Sequence, residues 1–486
     1  MITTRPALAL ATALSASAAL CAGAPQAAAQ TLAEALAQAY SNNPTLLAAR
    51  AQLRAVDENV PQALAGWRPT VSISSTAGVL DGHARALGTF VDPNGVPTPE
   101  NRFQPTHQLG VSSHIERQLY TNSITITQPV FRGGRTVATT RRAENQVLAQ
   151  RARLLSTEQQ VMSDGVNAYV AVIRDQELLR LNINNEQVLT EQLRATNERF
   201  RVGEITRTDV AQAESRLAAA RASRAQAEGN LQISRATFQR VIGLMPQRLL
   251  APQPLRPPVA SSQEAADAAS TNNPNVVAAL FDEAQARDAI AVQISQLLPQ
   301  LGLTGQAFRN DNSTGTHTRV TGAQVVAQLT VPLYQGGAEF STVRQARQTA
   351  QQARGVVEDQ RRQVTQAAIQ AWEQLQSSRA QVDSQRAAIR ASEIALDGVQ
   401  REAIVGSRTT LEVLNQEQEL LGNRTNLVQA LATVVAQSYT LAGAVGRLTA
   451  QDLGLQVDLY DMRAYYNAVR NRWAGFGDYS DVAERR

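Results

Sequence analysis

The chain has 486 residues, 46 basic against 42 acidic side chains, a formal charge of +4 and only 4% aromatic residues. Every basic residue is Arg, scattered without interleaved aromatics, so the charge pattern gives no nucleic-acid partner. Ala, Gln, Arg, Leu and Val dominate, which is the vocabulary of long packed helices rather than of a mixed-sheet enzyme core.

Residues 1–29 read as a secretory signal peptide: Arg5, an apolar run from Ala7 to Leu20, then the small residues Ala27, Ala28 and Ala29 before the cut. The run is too short to span a bilayer comfortably, and no later stretch is expected to supply the ~20 apolar residues of a spanning helix. Cys21 is the only cysteine, and Leu20 before it fits a lipoprotein cleavage site poorly, because a small residue is expected there. With Cys21 removed, the mature chain has no thiol, disulfide or cysteine metal site.

The remainder is one unit written twice. Asn42-Asn43-Pro44 returns as Asn272-Asn273-Pro274, and Pro69 as Pro299, at an offset of 230. Pro129-Val130-Phe131-Arg132-Gly133-Gly134 returns as Pro332-Leu333-Tyr334-Gln335-Gly336-Gly337 at an offset of 203. That second offset also relates Val202-Gly203 to Val405-Gly406, Asp209-Val210 to Glu412-Val413, and Ile242-Gly243 to Val445-Gly446, so the first copy carries 27 extra residues between its prolines. The first repeat is assigned to 30–250, a Pro-rich linker to 251–262 and the second repeat to 263–454. The tail, 455–486, has no counterpart and is expected to wrap the outside of the helical structure or stay partly disordered.

Each repeat has the same order of hydrophobic periods. A helix follows Asn-Pro and runs to about Gly66 or Leu298, where proline ends it. Period-two alternation then predicts β-hairpins over 70–130 and 300–332, with loops at Asp81 to Thr106, containing the turn Asp92-Pro93-Asn94-Gly95, and at Asn310 to Thr318. After each Gly-Gly comes a long helical hairpin, 135–245 and 338–446. Arg135 to Arg201 contains no proline, which allows about 100 Å of helix at 1.5 Å per residue, and Ala338 to Val405 is its twin. Val147/Leu148, Leu154/Leu155, Val161/Met162 and Ala168/Tyr169 repeat at seven, a coiled-coil seam. The return helices cover Thr208 to Val241 and Thr410 to Val445. A rod of this length must protrude from any compact domain.

Four strands cannot close a barrel in lipid, where open edges are not tolerated, so the chain supplies a share of one. Two chains would give eight strands around a filled interior, and three would give twelve around an aqueous pore; the pore makes a trimer the preferred count. Ser72, Ser74, Thr125, Thr127, Gln324 and Gln328 fit a wet lumen opposite a lipid-facing stripe. The competing reading is a secreted coiled-coil protein such as a periplasmic adaptor or fibrous adhesin, which needs no lipid-suited strands. No phosphate loop, dinucleotide fingerprint or nucleophile elbow occurs, and His83, His107, His114 and His317 fall in the hairpin regions without metal-ligand spacing. No catalytic, metal or cofactor site is therefore expected. Arg132-Gly133-Gly134-Arg135 is read as a turn.

Gln128-Pro129-Val130-Phe131, Val331-Pro332-Leu333-Tyr334-Gln335-Gly336-Gly337, Phe200-Arg201-Val202-Gly203 and Val405-Gly406-Ser407-Arg408-Thr409, within the duplicated plan, resemble the TolC family of outer-membrane efflux and secretion channels from about Thr31 to Gly454. The stretch from Arg408 through Glu412 to Leu414 is the most specific part. The resemblance implies a mainly α fold with transmembrane β structure: a trimer whose twelve-stranded barrel joins a twelve-helix tunnel. It also implies outer-membrane location, docking with a periplasmic adaptor and an inner-membrane ABC or RND transporter, and passive export of proteins, small molecules or both. Carried over residue by residue, it implies an entrance latch at Thr208, Asp209 and Arg408, a constriction ring at Glu412 and Asn415, and adaptor-docking turns at Gly203 and Gly406. Two departures stand out: Ala403 occupies the position of a latch tyrosine, and Asn415 that of a second carboxylate ring, so a thinner latch and weaker cation selectivity are implied.

Overall fold

The computed structural model describes residues 30–87, 110–313, 315, 317–477 and 479. The signal peptide with Cys21, the Asp92-Pro93-Asn94-Gly95 turn and His107 lie outside the described residues. The first half runs α1 (Leu32–Asn42), α2 (Pro44–Asp57), α3 (Asn59–Leu64), a single 3₁₀ turn (Ala65–Trp67), β1 (Thr70–Leu87), β2 (Gly110–Arg132), α4 (Arg135–Arg201) and α5 (Arg207–Ile242). The second repeats the order: α6 (Ser262–Asn272), α7 (Pro274–Ile294), a 3₁₀ turn (Ser295–Leu297), β3 (Gln300–Asp311), β4 (Arg319–Thr330), α8 (Ala338–Ile404) and α9 (Thr410–Ala444). α10 (Ala464–Val469) lies in the tail.

The repeated Asn-Asn-Pro motif has a local cause and a long-range one. Pro starts α2 and α7 where a helix leaves its first N–H unpaired, and the side-chain oxygens of Asn43 and Asn273 accept from the amides of Thr45 and Asn275. The other half of each amide reaches across the fold: Asn43 Nδ2 donates to Val241 O at 2.9 Å, and Asn273 Nδ2 to Ala444 O at 3.0 Å. Each return helix is thus tied to the start of its own repeat. Gly446 sits at this junction with φ +86°, and a Cβ there would come within 2.8 Å of Asn272 O.

α4 and α8 are each 67 residues, about 100 Å long. Val147, Leu154, Val161 and Ala168 are all buried at intervals of seven, with Met162 and Tyr169 beside the last two. Val147 packs separately with Val56 and Val60. Around Leu154, Val161 and Ala168, the side chains of Leu36, Leu46, Leu53 and Phe238 close one core, and Val276, Val364, Leu375, Leu441 and Val445 form a second in the other half. α9 serves both. Contrary to the sequence expectation, this helix is long and apolar enough to cross a membrane by length and composition alone. It packs on two sides, with Val435, Tyr439 and Ala442 in the first core and Ala430, Val434 and Leu441 in the second.

The strands form one antiparallel sheet in the order β1-β2-β3-β4, so the β2–β3 pairing joins the two halves. Directly opposed residues share a face. Val71, Ile126, Gly305 and Val325 line up across the sheet, as do Ile73, Ile124, Ala307 and Ala323, and this face is apolar. Ser72, Thr125, Gln306 and Gln324 line up on the opposite face, where Gln324 Nε2 donates to Gln306 Oε1 at 2.9 Å. Pro129, which has no N–H for a ladder, sits at the one irregularity, between Pro129 and Phe131. The first hairpin continues to Leu87 and restarts at Gly110, whereas the sequence suggested a loop from Asp81. β3 ends opposite Tyr120, so this extension pairs only with itself, as in His83↔His114 and Asp81↔Glu116. A two-stranded ladder is held by its backbone bonds and needs no strict apolar alternation, which is why polar residues such as Asp81, His83, His114 and Glu116 are tolerated there.

The tail packs along α2 and α4. Arg50 lies between the rings of Tyr40 and Tyr460 at 4.5 and 5.1 Å, Tyr465 Oη donates to Glu58 at 2.9 Å, and Arg470 pairs with Glu144 at 2.9 Å. Beneath this strap, burial pushes the Asp57 carboxyl up to about 7; Glu58 adds to the rise and Arg151 opposes it. The folded state therefore holds a proton that the unfolded chain releases near the ordinary carboxylate value. That stabilisation is complete below about pH 4 and lost as pH rises through about 7, with an upper bound of about 4 kcal/mol. Hydrogen exchange between Tyr460 and Arg470 is expected to rise from about pH 5 to about pH 8 beyond the intrinsic effect, and Asp57→Asn to remove the excess. Equal pH dependence in the two proteins would contradict this.

Candidate functional site at the helical tips

Where α4 and α8 fold back, the chain builds the same turn twice. Val202 and Val405 end the helices, and Gly203 and Gly406 follow, both at φ +81°. Gly203 N–H donates to Phe200 O and Glu204 N–H to Arg199 O at 3.0 Å each. The twin bonds run from Gly406 to Ala403 O at 3.2 Å and from Ser407 to Glu402 O at 3.0 Å. This double closure requires a left-handed residue after the helix end, which glycine adopts without strain.

Three residues on, Thr206 and Thr409 cap the return helices. Thr206 Oγ1 accepts from the Asp209 amide and the Asp209 carboxylate accepts from Thr206 N–H at 2.9 Å; Thr409 and Glu412 repeat the exchange, with Glu412 Oε2 accepting from Thr409 N–H at 3.0 Å. Asp209 and Glu412, assigned by resemblance to a latch and a ring, thus hold equivalent positions and both cap helices. The Thr206 hydroxyl and amide hold Asp209 below the usual carboxylate range, and the Thr409 amide, aided by Arg408, does so for Glu412. This capping contribution is present above the ordinary carboxylate pKa and lost as pH falls through the depressed values. Thr206→Ala and Thr409→Ala are each expected to cost about 1 kcal/mol at the helix end. The measurement is amide exchange at the two tips at neutral pH, faster in either variant than in wild type; unchanged exchange would refute the caps.

Arg408 stays within its own hairpin, with Nε donating to Glu402 Oε2 at 2.8 Å and Nη1 to Glu412 Oε1 at 3.4 Å. Those carboxylates hold its guanidinium above its ordinary pKa. Across the turn Arg199 pairs with Glu204, which sequence reasoning did not single out. No contact joins Asp209 to Arg408 among the described residues of one chain, and Thr208 is exposed on the first turn of α5. Asn415 does make a link between hairpins: its Oδ1 accepts from Arg216 Nη2 at 2.8 Å, next to a small cluster of Leu189, Leu217, Ala220 and Leu414. The Arg216 bridge was not legible beforehand, because a lone Arg on an exposed helix face carries no sequence signal.

A family model described as outer membrane efflux protein matches residues 15–244 and 265–447. The chain is 34% identical to the outer membrane efflux protein BepC of Brucella suis biovar 1 over 92% of each chain. It is 26% identical to the outer membrane protein TolC of Vibrio cholerae, over 87% of this chain and 92% of that one. Among solved structures it is similar in fold to the outer membrane protein VceC of Vibrio cholerae, with a TM-score of 0.68 and 17% identity, covering 85% of this chain and 96% of that chain. The match over both repeats, with the lipid-suited sheet, disfavours a periplasmic adaptor. The chain belongs to the outer membrane efflux protein family and is an exit duct of the bacterial outer membrane.

Proposed function

We propose that three copies of this chain close one duct, with twelve strands in the outer membrane and twelve long helices crossing the periplasm. One observation carries the reading: a four-stranded sheet with an apolar face and a polar face whose edge strands, β1 and β4, have ladder positions to offer further strands. In lipid those positions must be filled, and twelve strands leave a water-filled bore where eight would not. The duct is passive. It serves a tripartite efflux or type I secretion assembly, docking through the Gly203 and Gly406 turns to a periplasmic adaptor and receiving cargo from an inner-membrane ABC or RND transporter.

The entrance is held by Thr208, Asp209 and Arg408 acting between neighbouring copies, and Glu412 with Asn415 rings the constriction. Arg408 partly neutralises Glu412, and Asn415 adds no charge, so cation selectivity is modest. An exposed charged link of this kind is weak, which suits a latch that a docking partner must break. Arg408→Ala and Asp209→Asn are each expected to raise the open population in planar bilayers, up to about fivefold per link lost. An unaltered closed state in both variants would sink the latch.

A further inference from the structure

The tail ends on a feature that neither the duct nor the tips use. After Arg470 it reaches the base of β1, where Arg68 Nη1 donates to Arg472 O at 2.5 Å and the Arg68 guanidinium lies 5.1 Å from the Trp473 ring. Trp473 is nonetheless 70% exposed and Phe476 fully exposed, while Arg472 stacks on Tyr479. Arg68 precedes Val71, the first residue of the apolar sheet face, by three positions. Around the same end of the sheet, Trp67, Phe131 and Tyr334 are also exposed at the strand-to-helix junctions. Large aromatics interleaved with Arg at one level suit the headgroup boundary of a bilayer, where rings take the apolar side and guanidinium groups the phosphates.

We propose that the C-terminal tail is a lipid anchor. Trp473 and Phe476 seat in the headgroup-to-acyl boundary of the periplasmic leaflet, with Arg68 and Arg472 beside anionic phospholipid phosphates. The inference rests on the barrel reading, since the apolar sheet face sets the height of the bilayer and an open bore places the strap on the outside. Closeness to the end of that sheet, where further aromatics are exposed, favours lipid over another copy of the chain. The anchor would hold the strap over α2 and α4 and fix the helical section against the membrane. Its counterpart is missing from the first repeat, so each chain contributes one such contact.

The chain has three tryptophans, Trp67, Trp372 and Trp473, which permits a direct test. Full-length protein carrying Trp67→Phe and Trp372→Phe, and a second protein carrying Trp372→Phe and Trp473→Phe, are reconstituted in phosphatidylcholine–phosphatidylglycerol vesicles. The lipids are brominated either near the headgroup or at the chain end. Trp473 emission is expected to be lost with the shallow bromines and retained with the deep ones. Retained Trp473 emission with both lipids, alongside quenched Trp67, overturns the anchor while leaving the barrel intact. Emission retained by both tryptophans removes the barrel reading and the anchor with it.

Discussion

On the proposed barrel reading, Ile73→Arg is expected to destabilise the bilayer-inserted protein by roughly 2–4 kcal/mol, and Ser74→Arg by far less. Ile73 is 76% exposed in a single chain, so it has almost no protein packing to lose. The same change at an exposed site in water would fall within about 0.5 kcal/mol. Only hydrocarbon around the residue makes the charge expensive. Ser74 is one position on and therefore on the opposite face, aligned with Ser123. The test compares folding of both variants into bilayers against denaturant. Equal penalties, or none for Ile73→Arg, would mean that the apolar face does not meet lipid.

The second large effect is at Tyr169, 0% exposed on α4 against Phe238 at a ring separation of 6.3 Å. Its hydroxyl reaches Gln30 O at 2.7 Å and Leu250 O at 2.8 Å and accepts from Leu250 N–H at 3.1 Å. One side chain thus staples the segment before α1 and the end of the first repeat onto α4, and burial pushes its phenol up to about 12. Tyr169→Ala is expected to cost about 3–5 kcal/mol through the cavity it leaves. Tyr169→Phe keeps the ring and leaves the Leu250 amide on Gln30 O, but removes the hydroxyl's own hydrogen bonds, at about 0.5–1.5 kcal/mol. Thermal loss of helical circular dichroism in detergent should rank wild type, then Phe, then Ala. A Phe variant as stable as wild type would show that the hydroxyl contributes nothing to the staple.

These two positions differ in how far the sequence announces them. The seam at Val147, Leu154, Val161 and Ala168 was readable because a heptad repeat depends only on residues a few positions apart. The faces of the sheet were readable for the same reason, since alternation at two decides which residues share a side. At the tips, Gly203 and Gly406 announced themselves through their fixed offset and the need for a left-handed residue. What Asp209 and Glu412 do there was less visible. They entered by resemblance as a latch and a ring, and the single chain adds a capping role that follows from Thr three residues earlier.

The sequence by itself determined the length of the rods, the two-faced alternation of the strands and the turn chemistry, because each is a short-range pattern that backbone geometry converts directly into structure, and it showed the duplication by recurrence of those patterns. Only the tertiary structure decided that Asn43 and Asn273 clasp the ends of α5 and α9, that Arg216 bridges to Asn415, that β2 pairs with β3, and that the tail straps α2 and α4. Those partners lie from about 170 to several hundred residues apart. No local periodicity encodes them; they are fixed by which surfaces remain to be covered once the long helices have packed.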